Sequence, residues 1–468
     1  MDNDKIPEGP FDVLVAGGGN AGISAAIVAA EAGARVVVVD AAPRHMRGGN
    51  TRHTRNFRIM HEAPMGVLTG VYPEDEYFDD LMRVTGGETD ETLARMTIHE
   101  SGAAMKWMMA HGVNFQPALT GTLNLSHSNA FFLGGGKALM NALYRTAEAA
   151  GVQVFYDTAV TELTMEGNRF RAARVTRNDE AHDIEAGVFV AAAGGFEANI
   201  AWLAEYWGEA AQNFRIRGTP FNTGGVLRLL LDAGVASAGD PKQCHAVAID
   251  GRAPKFDGGI ATRLDSVPFG IVVNNTAQRF YDEGEEFWPK RYAIWGRLVA
   301  AQPDQVAYSI IDDKAANDFM PSMFKPVMDD TIGGLAVKLG LDGAALGATV
   351  DGFNAAVTPG TFDSTILDDC GTEGLTPPKS HWARAIDTPP FRAYALSPGI
   401  TFTYLGVKVN DAAQVIMETG EPTENIVAAG EIMAGNVLGQ GYLAGIGMTI
   451  GSVFGQRAGR EAARHVLD

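Results

Sequence analysis

The pattern of apolar and polar residues is clearest near the N-terminus, in FDVLVAGGGNAGISAAIVAAEAGARVVVVDAAP at residues 11–43. A short apolar run meets a glycine turn, and a longer run of small and apolar residues follows. A second apolar run, at residues 35–39, is closed by Asp40. Short apolar runs bounded by glycine are typical of buried strands, and the longer run between them is typical of a helix. The stretch therefore predicts a strand, a tight turn, a helix and a second strand.

Further segments show the same change from apolar run to turn residues. GVFVAAAGGF, at residues 187–196, predicts a strand that enters a Gly-Gly turn. NIVAAGEIMAGNVLGQGYLAGIG, at residues 425–447, predicts a strand and a glycine-rich approach to a helix. SVPFGIVVNNTAQRFYDEGEEFW predicts two apolar strands about a turn at Asn275-Thr276, and KRYAIWGRLVAAQ predicts one helix. TFTYLGVKVNDAAQVI, at residues 401–416, predicts a strand, a turn and a strand.

The glycines of the N-terminal turn have the spacing of a dinucleotide site. Gly17, Gly19 and Gly22 form GxGxxG, which allows a tight turn, close approach of a pyrophosphate and packing of the helix on the strand. Asp40 ends the second strand, where a carboxylate can accept hydrogen bonds from ribose hydroxyls. The alternative is a glycine-rich turn in an ordinary βαβ unit. Because two more glycine-rich segments follow and no second GxGxxG is present, the sequence favours FAD over NAD.

Charge and cysteine content limit the classes of partner. The 468 residues carry a formal net charge of -19, from 56 acidic and 37 basic side chains, which argues against a nucleic-acid or anionic-lipid surface. Cys244 and Cys370 are outside any cluster or disulfide spacing, so no metal site is expected. The N-terminus lacks the features of a secretory signal, and no stretch has the character of a membrane span. We expect a cytoplasmic protein of two domains.

The glycine segments together carry a family resemblance over nearly the whole chain. GGGNAG, GGNT, AAGGF, VAAGE and VFGQRAG, in this order, resemble the flavoproteins of the fumarate reductase and succinate dehydrogenase superfamily, which includes 3-ketosteroid dehydrogenases. The resemblance implies an α/β fold, with a Rossmann-like FAD-binding domain and an inserted α+β domain that caps the substrate. We expect the FAD-binding domain at residues 1–240 and 403–468, and the capping domain at residues 241–402.

The resemblance also implies contacts with FAD. The first turn would hold the pyrophosphate, the acid after the second strand the adenosine ribose, and the GGNT loop would run along the isoalloxazine near N5. The AAGG turn would be a second nucleotide contact, and the Gly-Glu pair would meet the ribityl chain. The alternative is local: glycines close turns, and the glutamate caps a helix. The implied residues are Gly17, Gly19, Asn20, Ala21, Gly22, Asp40, Ala41, Gly48, Gly49, Asn50, Thr51, Ala193, Gly194, Gly430 and Glu431.

The GGNT loop is part of a basic cluster, RGGNTRHTRNFR. With EGEEFWPKRYAIWGR and AGNVLGQGY, this cluster resembles the tricarballylate dehydrogenases of the superfamily. Oxidation of a saturated polycarboxylate requires cations for the carboxylates, a base for the proton and a hydride acceptor. Arginine suits carboxylates because its guanidinium binds them bidentately. We therefore expect Arg52, His53 and Arg55 at the substrate.

Each of these residues has another interpretation. The arginines could tie the loop to acidic neighbours, and Arg47 or Arg58 could lie nearer the FAD phosphates or the surface. His53 could attach FAD covalently, as a histidine does in some members of the superfamily.

The proton shuttle of the superfamily is an arginine in the capping domain. Arg291 is the closest match in this sequence, and Arg297 is a poorer one. Arginine is normally fully protonated, so it can act as a base only if a relay removes its proton. His245 matches the histidine that binds a substrate carboxylate. The alternatives are a surface charge at the start of a helix for Arg291 and a buried structural histidine for His245.

The sequence departs from fumarate reductases at the positions that contact substrate. Arg263 stands where those enzymes have a relay glutamate, and Phe402 and Tyr442 stand where they have a substrate histidine and arginine. The departures argue against succinate or fumarate as substrate. We expect Arg263 as an additional carboxylate ligand, and Tyr442 or Tyr404 as a hydroxyl donor near the flavin. Both tyrosines could equally serve packing.

These observations predict an FAD-dependent dehydrogenase that oxidises tricarballylate, a small polycarboxylate, to cis-aconitate. A separate iron–sulfur or membrane redox protein would accept the electrons, which would place the protein at the membrane only peripherally. One alternative is a flavoprotein that acts on a polycarboxylate tetrapyrrole of cobalamin synthesis or on another fumarate-reductase-like substrate. A second alternative is a flavin electron-transfer subunit without a substrate of its own.

Overall fold

The computed structural model describes residues 10–119, 122–256 and 258–468. Its strands are β1 (Phe11–Ala16), β2 (Val36–Val39), β3 (Asn56–Arg58), β4 (Asn129–Phe131), β5 (Gln153–Phe155), β6 (Thr158–Glu166), β7 (Arg169–Arg177), β8 (Glu180–Ala191), β9 (Arg215–Ile216), β10 (Ser237–Ala238), β11 (Cys244–Asp250), β12 (Ile271–Asn274), β13 (Ala307–Ile311), β14 (Val327–Asp329), β15 (Phe391–Thr403), β16 (Gly406–Val407), β17 (Gln414–Ile416) and β18 (Pro422–Ala428). Its α-helices are α1 (Asn20–Glu31), α2 (Glu74–Thr85), α3 (Glu91–Ala110), α4 (Gly135–Ala149), α5 (Ile200–Trp207), α6 (Gly225–Asp232), α7 (Trp288–Arg291), α8 (Trp295–Ala300), α9 (Ile332–Leu339), α10 (Gly343–Ala356) and α11 (Ile446–Leu467).

The larger sheet is built on the predicted N-terminal unit, which is confirmed as β1, α1 and β2. β1 pairs in parallel with β2 on one side and with β8 on the other. The path of the sheet runs β17, β18, β8, β1, β2 and β5, and the β6–β7 hairpin joins it through β8. All four valines of β2 are buried, as expected for a central parallel strand. The predicted mixed α/β fold is confirmed.

Helices α1 and α11 pack together beside this sheet through small residues. A Cβ atom on Gly455 would lie 2.6 Å from the Ala21 carbonyl oxygen, and one on Gly459 would lie 2.5 Å from that of Ala25. These glycines therefore let the two helix backbones approach closely. The side chain of Asn20 donates to Ser452 Oγ at 2.8 Å, which ties the first turn of α1 to α11. Among the described helices, none combines the length and the apolar character needed to cross a membrane.

The second sheet is mostly antiparallel, in the order β11, β15, β13 and β12, with β14 and β9 also paired to β15. The thirteen-residue β15 is its longest strand and ends at Thr403. The backbone N–H of Thr403 donates to the side chain of Glu431 at 2.8 Å. This bond connects the second sheet to the segment that follows β18 of the larger sheet. β9 belongs to this sheet although it precedes the boundary expected near residue 240. The two domain ranges themselves remain a prediction.

Two elements expected in this region differ in the structure. β12 pairs with β13, and the second arm of the expected hairpin is reduced to one bridge between Val273 and Arg279. The side chain of Asn274 accepts from the backbone of Gln278 at 3.1 Å and closes the turn. The helix expected from KRYAIWGRLVAAQ is broken into α7, a 3-10 turn over Tyr292–Ile294, and α8. Gly296 of α8 packs tightly on β11, since its Cβ would lie 2.4 Å from the Ala246 carbonyl carbon.

Candidate active site

One cavity reaches from the carboxyl ends of β1, β2 and β8 to the strands of the second sheet. The N-termini of α1 and α11 both open onto it, and each brings the partial positive charge of free N–H groups. Most of the residues predicted to contact FAD line this cavity. They are Gly17, Gly19, Asn20, Ala21, Asp40, Ala41, Gly49, Asn50, Thr51, Ala193, Gly194, Gly430 and Glu431.

The glycine turn is shaped by two close contacts. Gly17 has a φ of 108°, and its Cβ would lie 2.3 Å from the Ala192 carbonyl oxygen at the end of β8. Gly22 lies behind the lining, where its Cβ would meet the Gly17 carbonyl oxygen at 2.0 Å. The turn connects to the GGNT loop through the Asn20 N–H, which donates to Thr51 Oγ1 at 3.1 Å. No larger residue fits at Gly17 or Gly22, as expected for a turn that presents its backbone to a pyrophosphate.

Asp40 provides the acceptor expected beside this turn. It directly follows β2, is buried, and accepts from the Ala42 N–H at 3.0 Å through Oδ1. Burial raises the pKa of Asp40 to about 6, because the charged form has lost its hydration. Hydrogen bonds donated by ribose hydroxyls would replace those that the carboxylate lost when it was removed from water. The turn, the helix N-termini and Asp40 therefore fit the pyrophosphate and ribose of a dinucleotide.

The other part of the cavity is strongly basic, because the guanidinium groups of Arg55, Arg217 and Arg263 line it together. Arg217 follows β9; its N–H donates to the Ile400 carbonyl at 2.7 Å, and its Nη1 donates to Thr401 Oγ1 at 2.8 Å. Arg263 Nη2 donates to Asp265 Oδ2 at 2.9 Å. Among the described residues, neither Arg55 nor Arg217 has a carboxylate ion-pair partner.

The pKa shifts show that this positive charge is not fully compensated. Burial, together with repulsion from Arg263, lowers the pKa of Arg55 to about 9 and that of Arg217 to about 10. Burial also disfavours the charge on Arg263, but attraction from Asp265 outweighs it and raises the pKa of Arg263. The pattern is that of a site that needs an anionic ligand.

His245, on β11, faces the same space. It is 3% exposed, and neither ring nitrogen has a hydrogen-bond partner among the described residues. The ring of Tyr442 stacks on it, and Tyr292 meets it edge to face with 5.6 Å between centroids. Burial, followed by repulsion from Arg217 and Arg263, lowers the pKa of His245 well below its usual value. A neutral imidazole with two free nitrogens therefore stands beside three arginines.

The part of the cavity formed by the glycine turn and Asp40 fits a dinucleotide, and comparison with known proteins identifies which one. The family described as "FAD binding domain" matches residues 12–448. The chain belongs to this FAD binding domain family. The predicted cofactor, FAD, is confirmed. In this FAD-binding chain, the glycine turn and Asp40 are the residues that suit the pyrophosphate and the adenosine ribose.

The similar proteins are reductases and dehydrogenases. The NADH:fumarate oxidoreductase of Klebsiella pneumoniae is 27% identical over 99% of this chain and 48% of its own length. The cytochrome fumarate reductase of Shewanella frigidimarina is 25% identical over 98% of this chain and 78% of its own length. The chain therefore spans about half of the first relative. These relatives support the prediction of an FAD-dependent oxidoreductase of the fumarate reductase-like family.

Solved structures show the same fold. An open conformation of a flavocytochrome c3 fumarate reductase superposes with a TM-score of 0.75 at 23% identity, over 99% of this chain and 79% of that one. A 3-ketosteroid-delta4-(5alpha)-dehydrogenase from Rhodococcus jostii gives the same TM-score at 21% identity, over 98% of each chain. The fold is thus shared by proteins with chemically different substrates.

The FAD-binding chain brings together only part of the predicted catalytic set. His53, Arg55, His245, Arg263 and Tyr442 line the cavity. Arg52 and Arg291 are not lining residues. Arg52 Nη1 donates to the His45 carbonyl at 3.2 Å, and Arg291 Nε lies 2.6 Å from Glu285 Oε2 in an ion pair. The helix break after α7 directs the next residue, Tyr292, to the cavity in place of Arg291.

Four further candidates have structural partners away from the lining. Arg297 donates to Gln243, and the Tyr404 hydroxyl donates to the Gly441 carbonyl. Arg47 lies over the Tyr144 ring, with 4.3 Å between its Cζ and the ring centroid. Arg58 is fully buried and pairs with Asp80 at 3.3 Å. Gly48, the remaining predicted FAD contact, is also outside the lining, where its Cβ would meet Met140 at 2.9 Å.

Two residues of the basic part of the cavity, Arg217 and Tyr292, were not predicted from the sequence. Arg217 lies in RIRGTPFNTGG, whose glycines offered a signal of close backbone approach, but nothing local indicates that β9 joins the second sheet. Phe402, expected where fumarate reductases have a substrate histidine, does line the cavity, with 5.8 Å between its ring centroid and that of Tyr442.

Proposed function

We propose that this protein is an FAD-dependent dehydrogenase of small polycarboxylates, and that tricarballylate is its substrate and cis-aconitate its product. The observation that carries the proposal is the group of three arginines at the cavity, of which Arg217 and Arg263 are buried and Arg55 is half-buried, with one carboxylate partner, Asp265, among the described residues. Three positive charges against one leave two uncompensated in a buried site. A ligand with several carboxylates compensates them, and an apolar or cationic ligand does not.

In this proposal the carboxylates of the substrate are bound by Arg55, Arg217 and Arg263. Arg55 and Arg217 have no carboxylate partner, so each can form a charge-assisted pair with one carboxylate of the substrate. Arg263 is held in place by Asp265, which also accepts from Trp288 Nε1 at 2.6 Å, and it presents the rest of its guanidinium to a third carboxylate. Tyr442 can donate its hydroxyl hydrogen, because its oxygen accepts from the Gly447 N–H at 3.0 Å. Three separate ligands suit a tricarboxylate better than succinate.

Formation of the product double bond removes a proton alpha to one carboxylate and a hydride from the adjacent carbon. Bound FAD supplies the acceptor for the hydride. We assign the proton to His245, because its neutral imidazole lines the cavity, has a nitrogen without a hydrogen-bond partner among the described residues, and needs no relay to prepare it. The negative charge of the bound substrate offsets the repulsion from Arg217 and Arg263, which raises the affinity of His245 for the proton.

The proposal also requires an electron acceptor, because the two electrons taken from each substrate molecule must leave the protein before the next turnover. We propose a separate redox protein in this role. The relatives differ in the carrier that their names give, NADH in one and cytochrome in another, so the carrier can change while the FAD-binding fold remains.

The test is anaerobic mixing of the FAD-loaded protein with tricarballylate, succinate and citrate, with the flavin absorbance followed in time. Rapid bleaching by tricarballylate, followed by detection of cis-aconitate, is the expected result. Bleaching by succinate at an equal rate would overturn the assignment of three carboxylates. If no small polyacid bleaches bound FAD, a tetrapyrrole substrate or a role in electron transfer alone becomes the better account.

A further inference from the structure

Two carboxyl groups, those of Glu197 and Glu431, converge at the edge of the cavity, where Glu431 is a lining residue and Glu197 is not. Glu197 follows the AAGG turn after β8 and is fully buried, and Glu431 follows β18 and is 9% exposed. A Cβ atom on Gly195 would lie 2.3 Å from Glu431 Oε1 and 2.9 Å from Glu197 Oε2. Both carboxyls therefore crowd the same glycine. Among the described residues, no cluster of three or more potential metal ligands includes them.

One carboxylate oxygen of this pair lacks a hydrogen-bond donor among the described residues. Glu197 Oε1 accepts from Asn50 Nδ2 at 2.5 Å and from Asn222 Nδ2 at 2.8 Å. Glu431 Oε1 accepts from the Thr403 N–H at 2.8 Å. Glu197 Oε2 is buried and has no donor among the described residues. A buried acceptor without a donor is costly, and the group beside it is another carboxyl.

We propose that Glu431 carries a proton that it donates to Glu197 Oε2, and that this shared proton makes the pair a positioning unit for bound FAD. The proton satisfies the one acceptor that lacks a donor. It also avoids two negative charges in contact, an arrangement that carboxyl pairs resolve by sharing one proton. This inference concerns FAD binding and does not depend on the identity of the substrate.

The surroundings support a protonated Glu431. Burial, and after it the charge of Glu197, raises the pKa of Glu431 well above its usual value. Burial likewise raises the pKa of Glu197, against the effect of hydrogen bonds from Glu431, Asn222 and Asn50. The other groups that face the pair are the amides of Asn50 and Asn222 and the hydroxyl of Thr403. Arg217, on a neighbouring segment, donates to Thr401 Oγ1, and among the described residues it forms no ion pair with either carboxyl.

The pair and its hydrogen-bond partners join five segments at the FAD cavity, those of Asn50, Glu197, Asn222, Thr403 and Glu431. Asn50, on the GGNT loop, uses Nδ2 to reach both Glu197 and the Thr401 carbonyl, and its Oδ1 accepts from the Thr219 N–H at 2.8 Å. Loss of the shared proton would set the two carboxylates against each other and displace the loop that Asn50 holds. Bound FAD excludes water from the cavity and so raises the pKa of the shared proton further. FAD affinity must therefore fall when this proton dissociates from the free protein.

The test is titration of the FAD-free protein with FAD, followed by flavin fluorescence, from pH 6 to pH 10. Between the two pKa values of the shared proton, in the free and the FAD-bound protein, the Kd of wild type is expected to rise tenfold for each pH unit. In Glu431→Gln, the amide donates to Glu197 and has no proton to lose, so this rise should disappear. Glu421→Gln, at an exposed position, is the matched control and should keep it.

Infrared spectroscopy gives a second readout that a merely structural role would not change. The carbonyl stretch of a protonated carboxylic acid, shifted in heavy water, should be present in wild type at pH 7 and absent from Glu431→Gln. Glu197→Gln should move that band, since Glu431 then loses the carboxylate that accepts its proton. A wild-type Kd that does not change with pH, or a band that persists in Glu431→Gln, would overturn the proposal. The infrared band tests the shared proton even if one variant fails to bind FAD, because the band belongs to a carboxylic acid of the protein itself.

Discussion

The imidazole of His245 and the ring of Tyr442 lie face to face, with 3.7 Å between centroids and 3° between planes. Tyr442 is fixed in turn by the Gly447 N–H, which donates to its hydroxyl at 3.0 Å at the start of α11. The stack covers one face of the imidazole, which lines the cavity, and neither ring nitrogen has a hydrogen-bond partner among the described residues. This arrangement separates the charge of the site, which arginines provide, from a neutral group that can accept a proton.

The first prediction concerns that neutral group. His245→Asn keeps a polar side chain of similar reach but cannot accept a proton. We expect the rate of flavin bleaching by tricarballylate to fall about 10²- to 10⁴-fold, the usual contribution of a general base. The substrate concentration for half-maximal rate should change only a few-fold. His99→Asn, on an exposed face of α3, is the control, and an equal loss in both variants would contradict the assignment.

The second prediction is the pH dependence of the second-order rate constant for bleaching, which reports groups of the free enzyme. Arg55 is protonated below a pKa of about 9, and in the proposed function its positive charge helps to bind the substrate. The constant should therefore be level from pH 7 to about 8.5 and fall tenfold per pH unit above about 9. If a neutral Arg55 were the base, the constant would instead rise tenfold per unit up to the same pH. The direction of the change decides between the two roles.

The third prediction concerns Arg217, which sequence reasoning did not find. Arg217→Met replaces the aliphatic part of the side chain with one of similar length and removes the charged guanidinium. We expect the half-saturating concentration of tricarballylate to rise by a factor equivalent to about 2 to 5 kcal/mol, as when one partner of a buried charge pair is removed. FAD should remain bound. Arg291→Met, outside the cavity lining, is the matched control. A severe defect in Arg291→Met with normal kinetics in Arg217→Met would restore the shuttle role expected of Arg291.

Local sequence predicted the cofactor half of the site well, because its signals are local. The GxGxxG turn, the strand before it and Asp40 after the next strand lie within one βαβ unit, and each adopts the expected place. The resemblance added the GGNT loop and the Gly-Glu pair, both at the cavity.

The substrate half was harder to predict because it is assembled from distant segments. Arg217 reaches the cavity because β9 pairs with β15, which lies more than 180 residues further along the chain. Because the helix is broken after α7, Tyr292 lines the cavity and Arg291 does not. No local sequence propensity indicates that break. Tertiary pairing therefore decided which basic residues line the cavity.

The fourth prediction tests the glycine turn. Gly22→Ala places a methyl group 2.0 Å from the Gly17 carbonyl oxygen, so the turn and α1 must separate. We expect the purified protein to retain little FAD. Gly102→Ala, within α3, meets nothing within 4 Å and should stabilise the protein by about 0.5 to 1 kcal/mol, because alanine favours the helix. The flavin content of each variant, measured by absorbance against protein concentration, checks the retention of FAD, and unfolding in urea checks the gain in stability. Full FAD occupancy in Gly22→Ala would contradict the close packing.

The fifth prediction concerns the buried ion pair of Asp80, which lies on α2. Its Oδ2 is 3.3 Å from Nη2 of the fully buried Arg58, and its Oδ1 accepts from Lys290 Nζ of α7 at 2.8 Å. Asp80→Asn leaves the charge of Arg58 uncompensated in the interior. We expect the free energy of unfolding, measured with urea at pH 7, to fall by about 3 to 5 kcal/mol.

Asp75→Asn, on the exposed side of the same helix, is the control for this change and should leave the unfolding midpoint nearly unaltered. The pKa of Asp80 is lowered, because attraction from Arg58 and Lys290 outweighs the effect of burial. Its stabilising contribution is thus present at neutral pH and is lost as the pH falls below the ordinary pKa of an aspartate, so the difference between wild type and Asp80→Asn should narrow in acid. Equal unfolding midpoints for wild type and Asp80→Asn at pH 7 would mean that the buried carboxylate of Asp80 does not help to hold α2 to Arg58 of β3 and Lys290 of α7.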